Sequence, residues 1–166
     1  MIEAIGQGIS RIFGFQIEQA HLLENLAFAF DPNRRQYQST PILDRLARLA
    51  PEHACKVIGI VDVDLFIPIL THVYGEAQLA GKACIVSTFR LKEGLSIANI
   101  EKELGNRIVK EILHELGHTF NLRHCHDNSC LMHYCRSMKD VDRKSNQLCR
   151  YCKILLEDEL KILKQK

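Results

Sequence analysis

Three histidines and one glutamate within eleven residues carry the strongest chemical signal in this chain. His114 and His118 lie four positions apart, and on a helix such side chains share a face, so both imidazoles can bind one zinc ion at about 2.0–2.1 Å. Glu115 lies about 100° further round the helix, where its carboxylate can reach a water on the metal without ligating the metal itself. The spacing predicts a hydrolytic zinc site with Glu115 as the general base.

A third ligand requires the chain to turn back after the helix. His124 follows His118 by six residues, which is too far to share its helical face. Asn121 stands where the long zinc-peptidase pattern His-Glu-x-x-His-x-x-Gly-x-x-His has glycine, and asparagine tolerates a positive φ better than most residues. We therefore predict that the helix ends at a left-handed Asn121, which returns His124 to the metal. The third histidine makes the motif much more specific than the short His-Glu-x-x-His pattern.

Four cysteines follow directly and predict a second metal site. Two close pairs separated by a loop are typical of a closed tetrahedral zinc site, which stabilises structure and leaves no position for water. The spacing is C-x4-C-x18-C-x2-C, at Cys125, Cys130, Cys149 and Cys152. Disulfides are the alternative, but seven cysteines are an odd number and nothing indicates secretion. Cys135, His126 and His133 remain alternative ligands, whereas Cys55 and Cys84 lie in apolar runs and are expected in the core.

A methionine and a tyrosine inside the cysteine loop extend the motif to a known family. Met132, shortly after the third histidine, and Tyr134, two residues later, resemble the Met-turn of the metzincins. With the histidines and cysteines, the sequence resembles an archaemetzincin, the metzincin subgroup that adds a four-cysteine zinc site after the catalytic helix. The exceptions to the family pattern are Asn121 and the length of the last spacer. The matching residues are His114, Glu115, His118, His124, Cys125, Cys130, Met132, Cys149 and Cys152.

The resemblance covers about residues 57–152 and implies a fold and cofactors. The fold is a compact α/β (α+β) metzincin-like domain with a mixed twisted sheet, an active-site helix and a C-terminal zinc-stapled loop and helix. The cofactors are two zinc ions per chain, one catalytic and one structural. By resemblance, Met132 forms a hydrophobic floor beneath the catalytic zinc. Tyr134 approaches the metal or the reacting group, or else is a buried structural tyrosine.

The pattern outside the motifs predicts the elements that position them. Residues 12–17 are expected as a first strand, and residues 27–30 as short or irregular. A helix is predicted from Ser39, whose hydroxyl would cap it, until Pro51 stops it. The β-branched stretch 56–63 is expected as a buried strand.

Three elements nearer the site complete this prediction. Residues 83–90 are expected as a strand, which the resemblance places at the sheet edge bordering the cleft; there an extended substrate could add as a further strand, and in a non-enzyme it would be a plain edge strand. Helical spacing dominates from about residue 97 to Phe120, with Gly105 marking an interruption. A closing helix after Cys152 would bury Ile154, Leu155, Leu160 and Leu163, with lysines 161, 164 and 166 at its negative end.

Composition fits one enzyme-sized domain over residues 1–166. The 46% hydrophobic content can bury a core. The net charge of +2 and the dispersed basic residues do not support binding to nucleic acid. No membrane span or signal peptide can be drawn through the N-terminal region, which together with the thiols predicts a cytoplasmic location. The oligomeric state stays open.

Two functions from different classes follow. The first is a zinc-dependent aminopeptidase or endopeptidase that acts on a peptide or protein substrate, with water activated by Glu115. The second is a non-catalytic zinc-binding scaffold or interaction protein whose histidine site is regulatory, latent or vestigial. Glu115 favours the enzyme, because a pure binding site has no need of a carboxylate beside a ligand histidine.

Overall fold

The computed structural model describes residues 1–96 and 99–165, and within these ranges it contains five α-helices and six short strands. The helices are α1 (Ile2–Phe13), α2 (Ser39–Leu49), α3 (Ile100–Thr119), α4 (Met138–Arg143) and α5 (Arg150–Lys164). The strands are β1 (Phe30–Asp31), β2 (Gln36–Gln38), β3 (Val57–Val61), β4 (Leu65–Phe66), β5 (Gly75–Ala77) and β6 (Ala83–Ser87). The mixture of helices and strands confirms the predicted α/β class.

The strands form two small mixed sheets. One has the order β1-β2-β4 and the other β3-β6-β5, and each contains one parallel and one antiparallel pair. Alternate residues of β6 point to opposite faces of the sheet and pack in two different hydrophobic clusters. Cys84 and Val86 pack with α3, whereas Ala83 and Ile85 pack with α2. The β3-β6-β5 sheet is therefore a layer between the active-site helix and α2.

The position of β6 corrects two predictions about the strands. β6 is the central strand and all five of its residues are buried, so the expectation that residues 83–90 form the sheet edge is wrong. The edges are β5 and β3. Because β3 pairs only with β6, it is half-buried with Ile60 exposed, and the predicted full burial of residues 56–63 is wrong as well.

The N-terminal segment is helical where a strand was predicted. Ile5, Ile9 and Phe13 recur every four residues and are buried on one face of α1, which is a helical period and not the alternation of a strand. Gly14, with a φ of 77°, ends the helix in the left-handed region. The expected strand at residues 12–17 is therefore wrong. Phe13 stacks on Phe120, with ring centroids 5.1 Å apart, and joins α1 to the end of the active-site helix.

Helices α2 and α3 form where predicted, with two differences. The Ser39 hydroxyl does not cap α2; it donates a hydrogen bond to the Phe66 carbonyl at 3.1 Å, which links α2 to β4. α3 continues without interruption through Gly105, so the predicted break there is wrong. A glycine in a helix costs about 1 kcal/mol relative to alanine, and the packing of α3 on the sheet outweighs that cost. Residue 97, where the helical pattern starts in the sequence, lies outside the described residues.

The predicted closing helix is present as α5, but it buries a different face. Cys152 and Leu156 are buried, and Leu160 and Leu163 pack against the same core. Ile154 and Leu155 are exposed, contrary to the prediction. The four-cysteine cluster sets the rotation of α5, because its second pair occupies the N-cap and first turn of this helix. Lys166 lies outside the described residues, within which no helix is long and apolar enough to cross a membrane.

Candidate active site and metal centres

The three histidines converge as the sequence predicts. His114 and His118 lie on one face in the last turns of α3, and His124 returns to them from the segment after the helix. One ring nitrogen from each histidine lies within 4.8 Å of the others. The Nε2 atoms of His114 and His118 are 3.2 Å apart, a separation that two ligands of one ion at about 2.0–2.1 Å can adopt.

The return of His124 depends on the end of α3. Asn121 has a φ of 62°, so the predicted left-handed residue is confirmed. The Asn121 N–H donates to the His118 carbonyl at 3.0 Å, and the Leu122 N–H donates to the Gly117 carbonyl at 3.1 Å. These two bonds form a Schellman motif, which reverses the chain direction at a helix C-terminus. The local sequence therefore brings His124 back to His114 and His118.

A prediction follows for position 121. We expect Asn121→Val to lower the free energy of unfolding by about 1–2 kcal/mol, since a β-branched residue is strained at positive φ. Asn121→Gly should retain the stability of the parent chain, because glycine adopts this conformation without a Cβ penalty. Urea denaturation of the two variants measures the difference. Equal stability of the valine and glycine variants would contradict the strain argument.

Hydrogen bonds hold the first two histidines in the form that binds a metal. Nδ1 of His114 lies 2.9 Å from the Leu131 carbonyl, and Nδ1 of His118 lies 2.7 Å from the Leu122 carbonyl. A carbonyl only accepts, so each Nδ1 donates and each Nε2 keeps its lone pair for the ion. Burial lowers the pKa of His114 well below its usual value and the pKa of His118 to about 4. Both imidazoles are neutral at pH 7.

Glu115 is buried beside this cluster and packs against β5. A Cβ atom added at Gly75 would lie 2.7 Å from Cγ of Glu115, so glycine lets the strand backbone approach the carboxylate. Burial raises the pKa of Glu115 to about 8, with a further contribution from the Glu111 carboxylate, whereas the Lys144 ammonium opposes the rise. A divalent cation at the histidines would favour the ionised carboxylate.

Met132 and Tyr134 both lie close to the histidine-bearing segments, but they differ in burial. Met132 is fully buried, and its Sδ would be 2.6 Å from a Cβ added at Gly117; the glycine between the first two histidine positions therefore admits the methionine under α3. Tyr134 is 44% exposed, with its ring centroid 4.8 Å from that of His124. A buried structural tyrosine is thus wrong, and Tyr134 lies at the mouth of the site.

The four predicted cysteines form a second cluster. Their Sγ atoms lie within 4.8 Å of one another, and those of Cys125 and Cys149 are 3.8 Å apart. A tetrahedral zinc ion with bonds of about 2.3 Å places its sulfurs about 3.8 Å apart, so this set fits the ion. All seven cysteines are free. Cys135 lies outside the cluster, with its Sγ 3.6 Å from the His133 carbonyl, and neither His126 nor His133 joins the set.

Two features beside the site were not predicted. The edge strand beside Glu115 is β5, whose Gly75 approaches the carboxylate side chain. Glu111, one turn before Glu115, pairs with Lys144 at 2.7 Å. The four-residue spacing of the two glutamates shows on a helical projection that they share a face. Lys144 is far away in sequence and has no local pattern that marks it.

Comparison with known proteins first defines the class. Residues 23–158 match the family model described as Peptidase family M54. The crystal structure of a zinc-dependent peptidase from Methanocorpusculum labreanum (strain Z) superposes with a TM-score of 0.78 at 26% identity, covering 92% of this chain and 91% of that one. The chain is therefore a zinc metallopeptidase, a hydrolase that acts on peptides or proteins.

Closer relatives define the family. An archaemetzincin from Methanopyrus kandleri is 40% identical over 133 residues, which are 80% of this chain and 73% of the relative. The crystal structure of archaemetzincin from the same organism superposes with a TM-score of 0.83 at 35% identity and covers 96% of this chain and 86% of that one. The chain belongs to the archaemetzincins of peptidase family M54, as the sequence motifs indicated.

Proposed function

We propose that this chain hydrolyses peptide bonds with a zinc ion held by His114, His118 and His124, and with Glu115 as the general base. The observation that carries the proposal is that three imidazole nitrogens lie within 4.8 Å of one another at the end of the helix that also holds the buried Glu115. Three neutral protein ligands leave an open position for water, which is the arrangement of catalytic zinc sites.

Each residue at the site has a separate role in the proposed hydrolysis. A zinc ion at the histidines supplies Lewis-acid chemistry, which activates water and polarises a peptide carbonyl. Glu115 accepts the proton of the attacking water and passes it to the departing amine. The Leu131 and Leu122 carbonyls orient His114 and His118. Tyr134, exposed at the mouth of the site, is placed to contact the reacting carbonyl group, and Met132 forms the apolar floor.

The substrate would lie along β5. This strand is at the end of its sheet, and Gly75 brings its backbone against Glu115. An extended peptide that adds to this edge through main-chain hydrogen bonds would pass directly beside the general base. β5 therefore takes the role that the resemblance implied for residues 83–90.

The four cysteines would hold a second zinc ion, which makes two per chain. Four thiolates complete a tetrahedron, so this ion has no position for substrate and contributes to folding. A reducing compartment keeps such thiols available, and we therefore propose a cytoplasmic location. We also propose that residues 1–166 act as one catalytic domain, since α1 packs on the active-site helix itself.

Hydrolysis of a diverse peptide library, followed by mass spectrometry, tests the function and yields the specificity. His118→Ala is the matched control, because it removes a catalytic ligand and leaves the four cysteines intact. We expect cleavage by the zinc-loaded parent chain, none by the control, and a rise in the thermal midpoint of the parent alone when a hydroxamate is added. If the zinc-loaded parent cleaves no peptide and its thermal midpoint does not change with hydroxamate, the non-catalytic scaffold is favoured.

A further inference from the structure

A buried ion pair adjoins the catalytic residues and has no part in the proposed reaction. Lys144 is 1% exposed and Glu111 is 3% exposed, and their charged atoms are 2.7 Å apart. Neither the Lys144 Nζ nor the Glu111 Oε1 makes a well-oriented hydrogen bond within the described part of the chain. The contact is thus a close approach of charges whose remaining hydrogen-bonding capacity is unmet.

Such a buried ion pair contributes little to the net stability of a fold. Desolvation of two charges offsets much of their attraction, and apolar residues of similar volume often stabilise as well or better. The unmet hydrogen bonds add to the cost. Nearby positions in the chain include the fully buried apolar residues Ile112 and Val141. The position of Glu111 on α3 gives another reason for the presence of this pair.

Glu111 stands at metal-ligand spacing from the first catalytic histidine. Glu-x-x-His on one helix presents both side chains to a metal in carboxylate-bridged metal sites, and Glu111 precedes His114 by three residues. The face that carries His114, Glu115 and His118 thus offers a second carboxylate to the ion. A fourth protein ligand would fill the position that a catalytic zinc keeps for water.

Lys144 is held firmly against this carboxylate. It directly follows α4, which two α3 side chains fasten to the active-site helix. Arg107 donates two hydrogen bonds of 2.8 Å to Asp142, and Lys110 donates to the Val141 and Asp142 carbonyls, each at 2.9 Å. The ammonium is therefore delivered to Glu111 by an anchored segment.

We propose that Lys144 is a positioning residue that retains the Glu111 carboxylate and so keeps the fourth coordination position of the catalytic metal open. This inference rests on the proposed zinc site at the three histidines. Glu111 could bind the metal, but its contact with Lys144 keeps it away. Accordingly, Glu111 is not in the group of converging metal-binding atoms.

Zinc affinity of the histidine site tests the proposal without relying on activity. We expect Lys144→Met to bind zinc at this site about tenfold or more tightly, because the released carboxylate becomes a ligand, and to bind a hydroxamate more weakly. The double variant Lys144→Met/Glu111→Gln should return both quantities to the parent values. Chelator competition measures the affinity, with His118→Ala as the blank for the cysteine site.

Two further variants separate positioning from simple structural support. Lys110→Met removes one of the two α3 side chains that hold α4 and leaves the Arg107–Asp142 pair and Glu111 in place. It should lower stability and tighten zinc binding much less than Lys144→Met does. Lys144→Gln removes the charge but can still donate one hydrogen bond to Glu111, so it serves as the test variant if Lys144→Met does not fold. Its zinc affinity at the histidine site should also be higher than that of the parent. Three results would overturn the proposal. Lys144→Met could bind zinc no more tightly than the parent, the double variant could keep the tighter binding, or both Lys144 variants could fail to fold. Failure of the parent to cleave peptides would refute the proposed function and leave this comparison of affinities decisive.

Discussion

Glu115→Gln is expected to lower kcat/KM for peptide hydrolysis by a factor of about 10²–10⁴, the usual contribution of a general base. The carboxylate is buried and its Cγ packs against Gly75, so an amide of the same shape should keep this packing. The amide cannot accept the proton of the attacking water. Zinc should remain bound, because Glu115 is not among the converging ligand atoms.

The measurement combines steady-state kinetics on one cleaved peptide with zinc content by elemental analysis. Glu103→Gln is the matched control, because it makes the same change at an exposed position of the same helix. The control should retain parent activity. Retained activity in Glu115→Gln at full zinc occupancy would contradict the general-base assignment.

Cys149→Ser is expected to have the largest effect on stability. We expect the loss of one zinc ion per chain and a decrease of at least about 3 kcal/mol in the free energy of unfolding, since structural zinc contributes about 10–16 kcal/mol of binding free energy in zinc-finger peptides. Cys149 is the N-cap of α5, and its backbone N–H donates to the Cys130 sulfur at 3.3 Å. Its own Sγ lies 3.8 Å from that of Cys125, so a shared ion would join α5 to the segment that follows His124.

Cys55→Ser provides the comparison, since Cys55 is a half-buried thiol outside the metal cluster. This variant should keep both zinc ions and lose little stability. Thermal unfolding and zinc content of the two variants give the answer. A Cys149→Ser protein with two zinc ions and the parent's thermal midpoint would refute the four-thiolate site.

The parts of the site that depend on nearby residues could be predicted from the sequence. Asn121 illustrates this, because the φ it adopts follows from its place between a helix and a third ligand, and few residue types tolerate that conformation. The cysteine cluster also follows from spacing, since two close pairs on either side of a loop can meet around one ion.

Features that depend on packing between distant segments could not be predicted. The strand β6 is central because β3 and β5 pair with its two edges, and its sequence alone does not show which strands flank it. Residues 12–17 resemble a strand in isolation, and Phe13 belongs instead to a buried helical face with Ile5 and Ile9, which packs on the distant helix α3. Lys144 reaches Glu111 from the end of α4, which Arg107 of α3 holds through Asp142.

The proposed third ligand of the catalytic ion, His124, and the first thiol of the cysteine cluster, Cys125, are neighbours in the chain. The Cys125 N–H also donates to the Met132 carbonyl at 2.8 Å, which ties this junction to the floor of the site. A filled cysteine site would therefore fix the backbone from which His124 projects. With both proposed zinc sites in place, metal loading would have an order: the thiolate ion would enter during folding, and the histidine ion would exchange with the surroundings. Under zinc scarcity such a protein would lose its activity before its fold, and would recover it without refolding.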